Sequence, residues 1–157
     1  MEDQFMIRSA KVDDLEQLQQ LDLAYYEERR MMLAPDFQCL EAPMSSEQML
    51  EWIRSNRFRV FVAETEAGVI GFIVGRTREM TLPSGEHESE GRVCDLFVSK
   101  DHRRRGIAGQ LYAKAREWFT QQGCLWEGLT VYATNPAQAL YDEWGYQPYS
   151  INMRKRL

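Results

Sequence analysis

Cysteine is scarce and unpaired in this sequence: Cys39, Cys94 and Cys124 are the only three, and no two of them form a C-x-x-C pair. An odd number of scattered cysteines excludes a disulfide framework and a structural zinc site, and it points to a reducing, cytoplasmic setting. Histidine is scarcer still. His87 and His102 stand alone, read as surface loop residues, and make no case for a metal centre. No stretch approaches the ~18 apolar residues that a membrane span requires, and the opening "MEDQFMIRSA" lacks an apolar signal core, so a soluble protein without membrane association is expected. Positive charge is not in excess either. The 19 Lys and Arg are outnumbered by 24 Asp and Glu, a net charge of -5, which argues against general nucleic-acid binding.

What remains is a chain of 157 residues, 44% apolar, without internal repeats, low-complexity segments or linkers, and residues 1–157 read as a single domain long enough to bury a core. "FMIRSA" is a short strand. "VDDLEQLQQLDLAYYEERR" carries Leu15, Leu18, Leu21 and Tyr25 at helical spacing, with Asp13 and Glu16 as a capping box. After the proline-interrupted stretch "MLAPDFQCLEAPM", Ser45 and Gln48 open a second helix. "RFRVFVAET" and "GVIGFIVGRTREM" form a hairpin through "EAG", and a polar connection, "LPSGEHESEG", leads to a third antiparallel strand, "RVCDLFVS". From Gly106 the apolar residues Ile107, Leu111, Ala115, Trp118 and Phe119 recur at intervals of three to four, and "LTVYAT" then alternates as a strand does. The end reads as a short helix, with Pro136 in its first turn and Gly145 at its close, followed by a last strand, "YSINMRKRL". The fold class is α/β, with a strand, helix, strand crossover at its centre.

The sharpest local feature is "HRRRG" at the junction of strand and helix. A helix N-terminus already carries partial positive charge and N–H groups without intrahelical partners, so Arg103, Arg104 and Arg105 there add like charge to like. A bound phosphate or pyrophosphate reverses the sign of that arrangement. Gly106 and Gly109, with Ala108 between them, let an anion approach the main chain. No Lys-Ser or Lys-Thr follows the glycine, and there is no G-x-G-x-x-G, so Walker and dinucleotide readings do not apply.

The spacing Arg103-x-x-Gly106-x-Ala108, after the strand "CDLFVS" and opening a helix, resembles the R/Q-x-x-G-x-G/A acetyl-CoA signature of the GNAT superfamily of N-acetyltransferases. "IRSAKVDDLEQLQQL" is similar to that family's first strand and helix, "GVIGFIVG" to its hairpin strand, and "ALYDEWGY" to its closing L-Y-x-x-x-G-F/Y. The resemblance implies a single-domain GNAT-like fold: a mixed, mostly antiparallel sheet with splayed central strands and flanking helices. It implies that the free backbone of Leu96, Phe97 and Val98 pairs with the pantetheine arm of acetyl-CoA as an added strand would. The amides of Arg104, Arg105, Gly106, Ile107, Ala108 and Gly109 would cradle the pyrophosphate, with the Arg103 side chain holding the loop. Asn135 resembles the asparagine that contacts the cofactor beyond the next strand. Its spacing to Tyr141 is one residue shorter than in the family, which leaves Thr134 as the alternative.

The implied activity is direct transfer of acetyl from acetyl-CoA to a primary amine, without a metal and without a cysteine nucleophile. Tyr141 matches the family's acid, and a phenol with a pKa of ~10 suits a thiolate of ~8.5. The backbone N–H of Val98 is a candidate oxyanion donor. Where several relatives carry Glu before the Asp of "DLFV", this chain has Cys94, so the base is open among Asp95, Glu88, Glu90 and a water chain. The acceptor is expected to be a small molecule, polyamine, amino-sugar or amino-acid-like. It would be received near "YYEERRMMLAPDFQCLEAPM" and "EHESE", whose acids suit a cation. A protein N-terminus or lysine, and a non-catalytic acetyl-CoA-binding module, are the alternatives. A homodimer paired through the final strand is expected, and no nucleic-acid partner.

Overall fold

Alternation along the second strand dictates the layering of the protein, because both of its faces are apolar and both must be covered. In the computed structural model, which describes residues 4–157, Val60 and Val62 enter one core with Leu18 and Met49, while Phe61 and Ala63 enter another with Leu111 and Trp118. The elements follow as β1 (Met6–Ser9), α1 (Leu15–Met32), α2 (Ser46–Arg54), β2 (Phe58–Thr65), β3 (Gly68–Thr81), β4 (His87–Val98), α3 (Ile107–Gln121), β5 (Trp126–Leu129) and α4 (Gln138–Glu143). The sheet order is β1-β2-β3-β4-β5. The first four strands are antiparallel and β5 lies parallel to β4, as a crossover through α3 requires. α1 and α2 cover one face and α3 the other.

Phe119 of α3 lies so flat on the sheet that a Cβ built on Gly91 would come within 2.3 Å of its ring. Gly91→Ala is therefore expected to destabilise the fold by about 1–3 kcal/mol through overpacking, read as a lowered denaturation midpoint at unchanged m-value.

Four sequence expectations change. The first helix opens through a 3-10 turn (Val12–Asp14) rather than through Asp13 with Glu16: Asp14 is its N-cap residue but makes no side-chain cap bond to it, and the Asp14 carboxylate instead accepts from the Lys11 backbone N–H at 2.7 Å and is held by Arg8. The polar connection before the third antiparallel strand shrinks to residues 82–86, because β3 and β4 continue their ladder out to Thr81 and His87. The strand expected at "LTVYAT" lies earlier, at Trp126–Leu129, and "YSINMRKRL" forms no strand. That last segment has the alternation of a strand but no partner, with Tyr149, Ile151 and Met153 all exposed, so the edge through which two copies were expected to pair is not formed. No helix among the described residues is long and apolar enough to cross a membrane.

Two irregularities prepare the site. A β-bulge interrupts the β3–β4 ladder, with Val74 opposite Asp95 and Gly75 opposite Val93, so Cys94 is the extra residue. Bulges bend a strand and increase its twist. The parallel ladder with β5 runs only from Glu90 to Val93 and stops where the bulge begins. Beyond that point β4 and β5 part, and the splay expected of the sheet's centre is present.

Candidate active site

From Cys94 to Val98, β4 has β3 on one side and, among the described residues, no strand on the other. Which backbone groups face the gap follows from the ladder. Ser99 N–H donates to Ile70 C=O at 2.9 Å, so in the antiparallel alternation Phe97 and Asp95 direct their N–H and C=O to β3, whereas Leu96 and Val98 direct theirs into the splay. Of the three residues singled out in the sequence, Leu96 thus faces the gap with both N–H and C=O and Val98 with its N–H, the Val98 C=O being held by Arg103. Phe97 contributes a ring instead, packed against Tyr25 at 5.4 Å between centroids.

The strand runs through a 3-10 turn (Lys100–His102) into the arginine loop. Arg103 is spent on holding that loop: its Nε donates to Val98 C=O at 2.8 Å, and its terminal nitrogen donates to both oxygens of Glu28 on α1 at 2.9 Å. Arg104 has φ 64° and Gly106 φ 74°. Arg104 in this left-handed region costs about 1–2 kcal/mol, and left-handed residues within a tight turn bring successive N–H groups to one side, the geometry of an anion cradle. Arg104 is exposed and Arg105 half-buried. A Cβ on Gly106 or Gly109 would meet nothing within 4 Å, so the space over the α3 N-terminus is open. Ile107 is anchored in the core, while Ala108 is half-buried. Beside the loop, a groove of about 620 Å³ is lined by Leu21, Ala24, Glu28, Met31, Phe97 and Lys100 among others.

Across the splay, the chain leaving β5 forms the opposite wall. Thr134 Oγ1 donates to the Met32 carbonyl at the end of α1 at 2.5 Å. Asn135 Oδ1 accepts from Ala137 N–H at 2.9 Å and so caps the turn into α4. Tyr141 projects from α4 with Trp144 and Tyr146 edge-on at 5.8 and 6.0 Å. Its hydroxyl has no hydrogen-bond partner among the described residues. Burial raises its pKa, and the charge of nearby Asp95 raises it further, so at neutral pH it keeps its proton.

The carboxylates separate clearly. Glu88 accepts from Trp126 Nε1 at 2.6 Å, and Glu90 is buried between Arg78 and Arg92. A strand rises about 3.3 Å per residue, which puts Glu88 roughly 26 Å along β4 from Leu96, so the acids of "EHESE" belong to the far end of the sheet. Asp95 is different. The bulge turns it and Cys94 toward α1, where it is 8% exposed and accepts from Arg29 at 2.7 Å. Burial outweighs Arg29 and pushes its pKa up to about 6. The Cys94 thiol is pushed up to about 11 by burial and by Asp95, the reverse of what an acetyl-accepting thiolate needs. Asp22, buried in α1 and accepting from Met44 N–H at 2.7 Å, has its pKa raised by burial. Asp95 is one of the bases the sequence left open, but the Arg29 clamp that holds it gave no signal there, since no spacing links the two.

An open strand edge, a left-handed loop at a helix N-terminus and a tyrosine across the gap coincide with a family match: the model of the acetyltransferase (GNAT) family fits residues 15–146. The chain belongs to the GNAT acetyltransferase family. It is therefore an acetyl-CoA-dependent acyltransferase, with the mixed five-stranded sheet of that fold. No curated protein sequence matches the chain. Among solved structures it is similar in fold to a tetramutant of the BH1408 protein from Bacillus halodurans, with TM-score 0.85, 18% identity, and 97% of this chain and 99% of that one covered. It is also similar to the aminoglycoside N-acetyltransferase AAC(6')-Iy in complex with CoA, with TM-score 0.76, 21% identity, and 100% and 98% covered. A third is an aminoglycoside acetyltransferase from an uncultured soil metagenomic sample in complex with sisomicin, with TM-score 0.70, 17% identity, and 98% and 96% covered.

The residues of this GNAT protein fit the thioester donor of its family. The donor's diphosphate needs N–H groups and room, which the loop from Arg104 to Gly109 has. Its pantetheine amides need strand-like partners, which Leu96 and Val98 have. Among the described residues no group of three or more His, Cys, Asp or Glu could hold a metal ion.

Proposed function

We propose that this protein moves the acetyl group of acetyl-CoA directly onto a primary amine of a small cationic molecule, polyamine, amino-sugar or amino-acid-like. The observation that carries the reading is that Tyr141 and Asp95 lie close enough to interact electrostatically beside Cys94–Val98, the stretch of β4 that follows the end of the β5 ladder. The aminoglycoside acetyltransferases among the fold neighbours, one of them in complex with sisomicin, support an amino-sugar as a member of the acceptor class.

Acetyl-CoA, when bound, supplies an activated acyl group and a thiol leaving group. Leu96 and Val98 hold the donor by their main chain, and the Val98 N–H is the donor available to charge developing on the acyl oxygen. Arg104 to Gly109 and the Asn135 amide nitrogen bind its diphosphate and flank it. Asp95, ionised above about pH 6, takes a proton from the acceptor ammonium and leaves its lone pair free to attack. Tyr141 gives its proton to the departing sulfur as one C–N bond forms and one C–S bond breaks, and the second proton shed by the acylated nitrogen returns through water to the Tyr141 phenolate, so the single net proton released is the one taken by Asp95. Glu41 and Asp22 add negative charge on the α1 side, where a cationic acceptor would enter.

The test is a coupled thiol-release screen over polyamines, aminoglycosides, amino acids and N-terminal peptides, with products identified by mass. Acetylated small amines are expected. Acetylated peptides alone would overturn the substrate class, and acetyl-CoA binding with no product from any amine would favour a non-catalytic module.

A further inference from the structure

Resting on the reading of Asp95 as the proton acceptor, we propose that Arg29 is the positioning residue of the site, one side chain that fixes both the catalytic carboxylate and the wall of the acceptor pocket. Arg29 projects from α1 between two elements that, among the described residues, no other hydrogen bond or ion pair joins. One terminal nitrogen donates to Asp95 Oδ1 on β4 at 2.7 Å, and the other pairs with Glu41 Oε2 of the α1–α2 connection at 2.8 Å. Its guanidinium carbon stands 4.3 Å from the centre of the Tyr25 ring, which buttresses it from one turn earlier on the same helix. The side chains of Asp95 and Glu41 are only 9% and 12% exposed, so the clamp is shielded from the screening that makes surface ion pairs weak.

As a device for stability this clamp is poor. Its Arg29 Nε is buried without a partner, and burial leaves Asp95 easier to protonate despite the adjacent cation. Buried ion pairs with such residual costs are commonly replaceable by apolar residues without loss of stability. As a device for catalysis it is apt. The bulged backbone at Cys94 lets Asp95 swing toward α1, and a carboxylate gripped at one oxygen keeps its other oxygen for an incoming amine. The segment 33–44, which contains a 3-10 turn (Pro35–Leu40) and forms no strand, is tied by Glu41 to the same guanidinium.

The charged and titratable groups around Asp95 then act in opposite directions. Arg29 of α1 favours its ionised form, while Asp22 of α1 and Glu41 of the connection oppose it. Tyr25 of α1, Tyr141 of α4 and the adjacent Cys94 are each harder to ionise in its presence and stay neutral at working pH. Removing the cation must therefore shift Asp95 titration to higher pH, and removing Glu41's charge must shift it to lower pH.

The experiment follows the side-chain carboxyl carbon of Asp95 by NMR titration, without substrate, in wild type, Arg29→Met, Arg29→Lys and Glu41→Gln. Asp95→Asn provides the assignment. Arg29→Met is expected to raise the midpoint by at least one pH unit, Arg29→Lys to restore much of the difference, and Glu41→Gln to lower the midpoint. Should Arg29→Met fail to fold, the Lys and Gln variants carry the test alone. An Asp95 midpoint that is the same in the folded variants overturns the proposal. The underlying reading is tested separately by turnover of Asp95→Asn. Wild-type turnover in that variant would reject Asp95 as the base whatever the titrations show, whereas unmoved titrations with an inactive Asp95→Asn would reject Arg29 alone.

Discussion

Tyr141→Phe is expected to lower turnover about 10²- to 10⁴-fold, the range of a lost general acid, while acetyl-CoA affinity and melting temperature stay close to wild type. The structure sharpens this expectation, because the Tyr141 hydroxyl has no hydrogen-bond partner among the described residues and its removal costs the folded state no bond. The ring contacts with Trp144 and Tyr146 are retained in Phe. A loss confined to kcat marks an interaction made only as the C–S bond breaks. Wild-type turnover across the whole pH range would show that the proton reaches sulfur from another source. The pH profile carries a second sign. Asp95 must be ionised to act, so activity is expected to fall as the pH drops through about 6, and Tyr141, held protonated by burial and by Asp95, imposes no loss near neutrality.

Gly106→Val is expected to abolish acetyl-CoA binding without unfolding the protein. The glycine sits at φ 74° as the N-cap of α3, a conformation that a β-branched residue strongly resists. No neighbour lies within 4 Å of a Cβ there, so the damage comes from rewinding the loop rather than from a clash in the core. Ligand at 100 times its dissociation constant stabilises a protein by ~2.7 kcal/mol. Wild type should therefore show a clear rise in melting temperature with saturating acetyl-CoA, and Gly106→Val none. Gly109→Ala, at a position equally open but without a left-handed backbone, should keep most of that rise. An equal shift in the Gly106 and Gly109 variants would mean that the donor is held elsewhere.

Much of the fold was legible in the sequence because its signals are local: the β-rich runs of β2 and β3 joined by a short turn, the three-to-four spacing in α3, and the Ser45 cap of α2, whose hydroxyl accepts from Gln48 N–H at 3.2 Å. The arginine loop was legible for the same reason, since its glycines and cations are contiguous. What escaped depends on partners distant in the chain. "LTVYAT" has every property of a strand, yet it stops at Leu129 because β4 bulges at Cys94 and leaves it without a ladder. "YSINMRKRL" alternates correctly and has no strand to join. Asp95 and Arg29 lie 66 positions apart, and only the packing of α1 over the bulge brings them together. Glu88 and Glu90 looked equivalent to Asp95 as candidate bases because proximity in sequence says nothing about which end of a 12-residue strand holds the chemistry.

The central claim is that the gap between β4 and β5 receives the acetyl donor as though it were a strand, and amide hydrogen exchange at single-residue resolution tests it most directly. In the free protein the Phe97 amide, bonded to β3, should exchange slowly, and the Leu96 and Val98 amides, which face the gap, should exchange fast. Saturating acetyl-CoA should slow Leu96 and Val98 strongly and leave Phe97 little changed. If Leu96 and Val98 exchange at the same rate with and without acetyl-CoA, while the melting temperature shows that the donor has bound, the strand-addition account is wrong.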